Sequence, residues 1–272
     1  MAVPAKSPNT DTTMSELSQR NPTGRFSGLA NVYARCRPSY PAAAVEFILQ
    51  HCQLTSGSVL IDVGSGTGIS SRPLAERGLQ VIGIEPNAEM RAAASASVVS
   101  AGAAAPSYLE GTAEATGLAG GSADAVLAAQ AFHWFDVDRA LHEFHRVLKP
   151  GGWVILLWNE RDERDPFTAA YGAVIRTVPE AATVEAPRGQ AGEPLLSSPL
   201  FHNGSRTVFA NEQPLDEEGV LGRAFSASYA PREPEQAEQF AARLHEVFAR
   251  FQRNGKVILK YETAVYLASR KN

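Results

Sequence analysis

The sequence predicts an α/β fold: a doubly wound, mostly parallel sheet of seven strands with an antiparallel last strand. Three observations predict it. First, an apolar, β-branched run, Val59-Leu60-Ile61-Asp62-Val63, reads as a buried parallel strand and leads into glycines at alternate positions, Gly64, Gly66 and Gly68. Second, strand-length apolar runs alternate with segments of helical period as far as Trp158, the pattern of a sheet with helices on both faces. Third, the run 256–267 alternates apolar and polar side chains, which suits an antiparallel edge hairpin added to that sheet.

In chain order, residues 1–24 are rich in Pro, Ser, Thr and Asn and are expected to be a disordered tail. Residues 26–41 are dense in aromatics and arginine. A helix is expected from Pro41, a residue suited to a first turn, to about Cys52, with Val45, Ile48 and Leu49 on one face. The glycine-rich strand spans 58–63, and a helix over about 67–77 ends near Gly78. Gln80–Ile84 is the second strand, and a helix from the capping residue Asn87 to about Ser97 follows. Residues 100–107 read as a loop, 108–111 as a short third strand and 123–129 as the fourth. A helix over 139–148 is stopped by Lys149-Pro150-Gly151-Gly152, and 153–158 is the fifth strand. Beyond it a helix is expected over 166–178, a loop over 179–199 and a sixth strand over 207–210. Helices over 215–224 and 234–253 precede the last strand.

The composition excludes several function classes. The 272-residue chain carries a net charge of −4 with no basic cluster, so neither nucleic acid nor a membrane surface is an expected partner. The two cysteines, Cys36 and Cys52, form no metal or redox motif, and no metal-ligand cluster is expected. No run of apolar residues is long enough to span a membrane, and the N-terminus lacks the form of a signal peptide. Reduced thiols and a cytoplasmic location are the expectation.

The glycines allow a sharp turn and a close backbone approach to a ligand. Glu85, at the tip of the second strand, is placed to accept hydrogen bonds from a ribose, so the pair of features points to a nucleoside cofactor. A dinucleotide fingerprint would put its third glycine at Ile69; here it comes one residue early, at Gly68. This form, with Asp62 two residues before Gly64, resembles the first motif of class I methyltransferases that use S-adenosyl-L-methionine (SAM). Further stretches strengthen the resemblance: Gly111-Thr112-Ala113-Glu114, Ala129-Gln130-Ala131-Phe132-His133-Trp134-Phe135, Glu143 through Gly152, and Phe26 through Pro41. Together they look like the small-molecule branch that includes trans-aconitate methyltransferases, and the likeness covers residues 25–268.

The resemblance implies a Rossmann-like domain over 25–272: a lid (25–41), a cofactor-binding core (42–160), and substrate-side helical insertions with the C-terminal strands (161–272). It implies that Gly64, Gly66 and Gly68 turn under the methionine part of SAM and that Asp62 anchors that turn. Glu85 would bind the ribose, Pro86 and Asn87 would flank the adenine, and Ala113 and Glu114 would line its edge. The backbone of Gln130 would hold the methionine amine. Tyr33 and Arg37 would cover the site, with Arg37 on the methionine carboxylate, to which a planar guanidinium is suited.

On the acceptor side, His133 is the candidate general base, since it is expected at the carboxyl end of the fourth strand and an unperturbed imidazole suits that role near neutral pH. It has an alternative in packing. Tyr40, Trp134, Asn159, Arg161, Arg223 and Tyr229 are the candidate substrate residues, although the run Arg161-Asp162-Glu163-Arg164-Asp165 also reads as a solvated ion-pair surface. The expected reaction is methyl transfer to oxygen or nitrogen of a small molecule, a carboxylic acid or a heteroaromatic intermediate of secondary metabolism. An NAD-dependent oxidoreductase and a non-catalytic SAM-binding protein are the alternatives. The acceptor carboxylate version requires an arginine, Arg223 or Arg161, in the pocket.

Overall fold

The computed structural model describes residues 30–100, 102–181 and 191–271. The expected tail 1–24, the start of the lid and residues 182–190 of the expected loop lie outside the described residues. Among these, seven strands form one sheet: β1 Val59–Val63, β2 Gln80–Ile84, β3 Ser107–Leu109, β4 Ala123–Ala129, β5 Leu148–Arg161, β6 Phe201–Leu215 and β7 Val257–Arg270. Their order is β3-β2-β1-β4-β5-β7-β6. The first five pair in parallel, and β7 runs antiparallel to both β5 and β6. The helices are α1 Ala30–Cys36, α2 Ala42–His51, α3 Ser71–Ala75, α4 Ala88–Ala96, α5 Val137–Val147, α6 Pro166–Ile175, α7 Glu193–Ser197, α8 Glu217–Phe225 and α9 Pro234–Phe251.

Neighbouring residues of each central strand point to opposite faces, and both faces are covered. Ile61, Val126, Leu156 and Tyr266 join Leu141, Phe144 and Val147 of α5 in one core. Leu60, Leu127, Ile155 and Val265 join Val45 and Ile48 of α2 and Leu74 of α3 in another. A third core lies apart from these, where Tyr171 of α6, Val220 of α8, and Leu244 and Phe248 of α9 pack on Leu259 and Tyr261 of β7. The helix starts follow their caps: Asn87, Asp136, Asp165 and Asp216 each accept from a backbone N–H of the first turn.

Several expected boundaries are corrected. The helix expected over 67–77 is only the five residues of α3, because Gly68 has φ +75°, which no helix accepts, and Ser65–Ser70 are spent on the turn. The Lys149-Pro150-Gly151-Gly152 stop lies inside β5 as a bulge, with Leu148 opposite Ala123 and Trp153 opposite Ala125. α6 and α9 end at Ile175 and Phe251, short of 178 and 253. The expected loop 179–199 contains α7. β6 has 15 residues rather than four, since alternate positions of this edge strand face solvent and carry polar side chains that read as loop. The last strand, β7, is antiparallel as expected; it lies between β5 and β6, and β6 takes the edge.

The strand order reverses direction between β1 and β4, so the carboxyl ends of these two strands open into a crevice, the place where open α/β sheets bind ligands.

Candidate active site

The crevice begins where β1 ends. Gly64, Gly66 and Gly68 have φ of +69°, +54° and +75°, the left-handed region that side chains disfavour. A Cβ on Gly64 would also lie 2.7 Å from the Cβ of Ala131, and one on Gly68 would run into the Tyr108 hydroxyl. The loop is tied to β2, with the N–H groups of Gly64 and Ser65 both donating to the Ile84 carbonyl.

Two buried acids hold this loop from below. Glu85 accepts the Gly66 N–H on Oε2 and the Asn87 N–H on Oε1, both at 2.9 Å. Burial raises its pKa, opposed by those two donors. A carboxylate has about four acceptor positions, so each oxygen keeps one for a further hydroxyl. Asp62, fully buried, accepts from the hydroxyls of Ser70 and Ser71 on Oδ2 at 2.7 and 2.6 Å. Its Oδ1 has no partner among the described residues, and burial pushes its pKa to about 6.

The cleft above the loop is narrow, with room of about 60 Å³. One wall is the loop itself, from Gly64 to Thr67 with Ile69 and Ser70, and the hydroxyls of Ser65 and Thr67 are buried there without a hydrogen-bond partner. Ala129 and Gln130 form the floor at the end of β4, and Asn159 lies at the end of β5. Gln130 adopts φ +56°, rare for a side-chain-bearing residue, and its Nε2 donates to the Asn159 carbonyl at 3.1 Å.

The opposite wall consists of Tyr33, Arg37, Pro38 and Tyr40 from α1 and its following turn, together with Arg223 of α8. Burial raises the Tyr40 pKa well above the usual phenol value. Arg37 stacks over Tyr33 at 4.6 Å and donates from Nε and Nη2 to the hydroxyl and carbonyl of Ser226 at 3.0 and 3.1 Å. The Ser39 carbonyl accepts from both Asn159 and Asn211, and Gln213 donates to the Cys36 carbonyl at 2.9 Å. α1 therefore roofs the cleft and is fastened to β6 and α8. Gly222 permits this closeness, since a Cβ there would lie 2.5 Å from the Cys36 sulfur.

Of the residues expected from sequence, Tyr33, Arg37, Tyr40, Gly64, Gly66, Gln130, Asn159 and Arg223 meet in the cleft wall. Gly68, Asp62, Glu85, Pro86 and Asn87 lie in the loop or beside the acids that hold it. Ala113 is buried in the core beyond β3, and Glu114 accepts the Asp136 N–H at 2.9 Å. His133 and Trp134 form a 3-10 turn, Phe132–Trp134, with their rings 4.9 Å apart, and neither is among the described lining residues. Arg161 lies 3.7 Å from Glu163, within the ion-pair surface that includes Arg164 with Asp162 and Arg176 with Glu163. Tyr229 is buried in the third core. Ser65, Thr67, Ile69 and Ser70 were missed, although the motif that contains them was the available signal. Tyr171 carried no local signal, whereas Ser226 and Tyr261 open two stretches, Ser226-Ala227-Ser228-Tyr229 and Tyr261-Glu262-Thr263-Ala264-Val265-Tyr266, that resemble the same branch.

A family model described as a methyltransferase domain matches residues 61–156, which hold the glycine loop, Asp62, Glu85 and Gln130. Over these residues the chain is similar to methyltransferases, and this match supports a class I SAM-dependent methyltransferase. An uncharacterized methyltransferase of Mycobacterium tuberculosis is 40% identical over 162 residues, which cover 58% of this chain and 61% of that protein. The chain thus matches about 61% of the length of this relative. A malonyl-[acyl-carrier protein] O-methyltransferase of Serratia marcescens is 30% identical over 146 residues, covering 51% of this chain and 55% of that protein. Among solved structures, a type II methyltransferase from Anaeromyxobacter dehalogenans superposes with a TM-score of 0.58 over 86% of this chain and 97% of its own, at 23% identity, and shares the fold. The match supports SAM as the cofactor. The site fits SAM on its own evidence: a cradle that Cβ atoms would fill, orphaned buried hydroxyls in its wall, and acceptor positions left on Glu85.

Proposed function

We propose that this protein transfers a methyl group from SAM to an oxygen or nitrogen of a small molecule. The observation that carries the reading is the loop held in left-handed geometry over Glu85, opening into a cleft with a roof of its own. SAM, when bound, would supply an electrophilic methyl carbon on a sulfonium, with S-adenosylhomocysteine as the leaving group.

The chain's part is positioning and exclusion of water. Glu85 binds the ribose hydroxyls, Pro86, Asn87, Ala113 and Glu114 set the adenine side, and Gln130 presents its backbone to the methionine amine. Arg37 faces the methionine carboxylate from the roof. Tyr33 and Tyr40 exclude water from a reaction that neutralises charge. An acceptor held roughly 3–3.5 Å from the methyl carbon needs little else. The described lining has no carboxylate and no histidine, so an acceptor that arrives already ionised suits it. A phenol or amine acceptor instead needs a base, and His133, three residues beyond Gln130, is then the group to supply it.

The test is S-adenosylhomocysteine release from SAM across a panel of small acids, phenols, amines and N-heterocycles. Turnover on any class establishes the activity and assigns the atom. Tight SAM binding with no turnover on the whole panel would favour a non-catalytic SAM-binding protein.

A further inference from the structure

Arg223 is 7% exposed, and among the described residues no carboxylate lies within ion-pair distance of it. A buried cation without a counter-charge is unfavourable, so such a group is kept where an anion completes it. Its Nε donates to the Tyr261 hydroxyl at 3.1 Å, which donates in turn to Gln213 Oε1 at 3.0 Å, and Gln213 donates to the Cys36 carbonyl. This relay fixes the plane of the guanidinium. Its two terminal nitrogens make no hydrogen bond to any described residue, and the side chain lines the cleft. The hydroxyl of Tyr171 is buried with no partner, and Tyr171 and Arg223 interact electrostatically. Among the described residues the cleft wall holds no acid.

We propose that Arg223, oriented by Tyr261 and assisted by Tyr171, is a binding site for a carboxylate on the methyl acceptor. The fork of terminal nitrogens matches the two oxygens of a carboxylate, and a neutral amide offers only one acceptor to it. This assignment rests on the methyl-transfer reading. The methionine carboxylate of SAM has the same chemistry, so the experiment separates the two sources.

The full chain, saturated with S-adenosylhomocysteine, is titrated with benzoate and with benzamide by ligand-observed NMR. The proposal expects benzoate to bind at least about 10-fold more tightly than benzamide, with Arg223→Gln bringing the two within about twofold. Tyr171→Phe, which removes only a hydroxyl, is expected to lower benzoate affinity about three- to tenfold, and it serves if Arg223→Gln does not fold. Affinity for S-adenosylhomocysteine, measured separately, is expected to stay within about threefold in both variants. Equal binding of acid and amide by the wild type overturns the proposal. So does a loss of S-adenosylhomocysteine binding in folded Arg223→Gln, which would assign Arg223 to the cofactor. If the wild type binds no S-adenosylhomocysteine, the methyl-transfer reading fails instead.

Discussion

The two walls of the cleft are held together over very different distances along the chain. On the cofactor side the bonds are local: Asp62 binds hydroxyls eight and nine residues away, and Glu85 binds N–H groups two and 19 residues away. On the acceptor side Arg37 reaches Ser226 across 189 residues, Gln213 reaches Cys36 across 177, and Asn159 reaches Ser39 across 120. The first wall is a rigid cradle built by one strand-turn-strand unit. The second is assembled from the N-terminal helix, β6 and α8, and it moves if any of these shifts. On the proposed reading the first wall serves the constant cofactor, and the second covers its methionine end and receives the acceptor.

The comparison breaks most sharply at the loop. Gly64→Val forces a side chain into left-handed geometry and against Ala131, and is expected to weaken SAM binding at least about 100-fold by calorimetry while far-UV circular dichroism is kept. Glu85→Gln leaves one of two N–H donors facing an amide N–H₂, with an expected loss in SAM affinity of about 10- to 100-fold. If the variant binds as the wild type does, Glu85 has no part in holding the cradle.

Asp62 sharpens the contrast through pH. Its folded pKa, about 6, lies above its ordinary value of 3.8, so between these the native state binds the proton more tightly than the unfolded chain. Its contribution to stability is therefore fully present below about pH 4 and is lost as pH rises to about 6, by at most about 3 kcal/mol. Asp62→Asn should keep an acceptor for both serines and flatten that part of the urea-midpoint profile of the cofactor-free protein. Parallel wild-type and variant profiles would remove Asp62 from this role.

The acceptor wall gives smaller effects. Ser226→Ala removes one of two bonds to Arg37 and is expected to raise the SAM dissociation rate about three- to fivefold in stopped flow, with the fold unchanged. On an acceptor that arrives as an anion, His133→Ala should change kcat less than about threefold, whereas loss of a general base costs about 100-fold or more.

The same difference in span explains what the sequence disclosed. The parallel strands, the glycine turn, Glu85 and the cap Asn87 depend on neighbours, and local pattern was enough to find them. Arg223, Asn159 and Tyr40 were found as residue types at plausible positions, but not the partners that hold them. Nothing in Gly222 or Ser226 discloses that α1 packs on α8, because that contact is made only after the whole chain has folded. β6 was underestimated for a related reason. An edge strand with one solvated face looks like a loop until its partner β7 is known.

The place of β7 also matters during synthesis. It is translated after every other described strand, yet it lies between two of them and, among the described residues, is the only sheet partner of β6. Until residues 257–270 leave the ribosome, β5 presents a bare, strongly apolar edge and β6 has nothing to pair with, the condition under which nascent chains stick to one another. The sheet closes in a late step, and with it the end of β5 where Asn159 waits for Thr263. A nascent chain stalled before β7 should thus be a ready client for chaperones, with its cofactor cradle formed well before its acceptor wall.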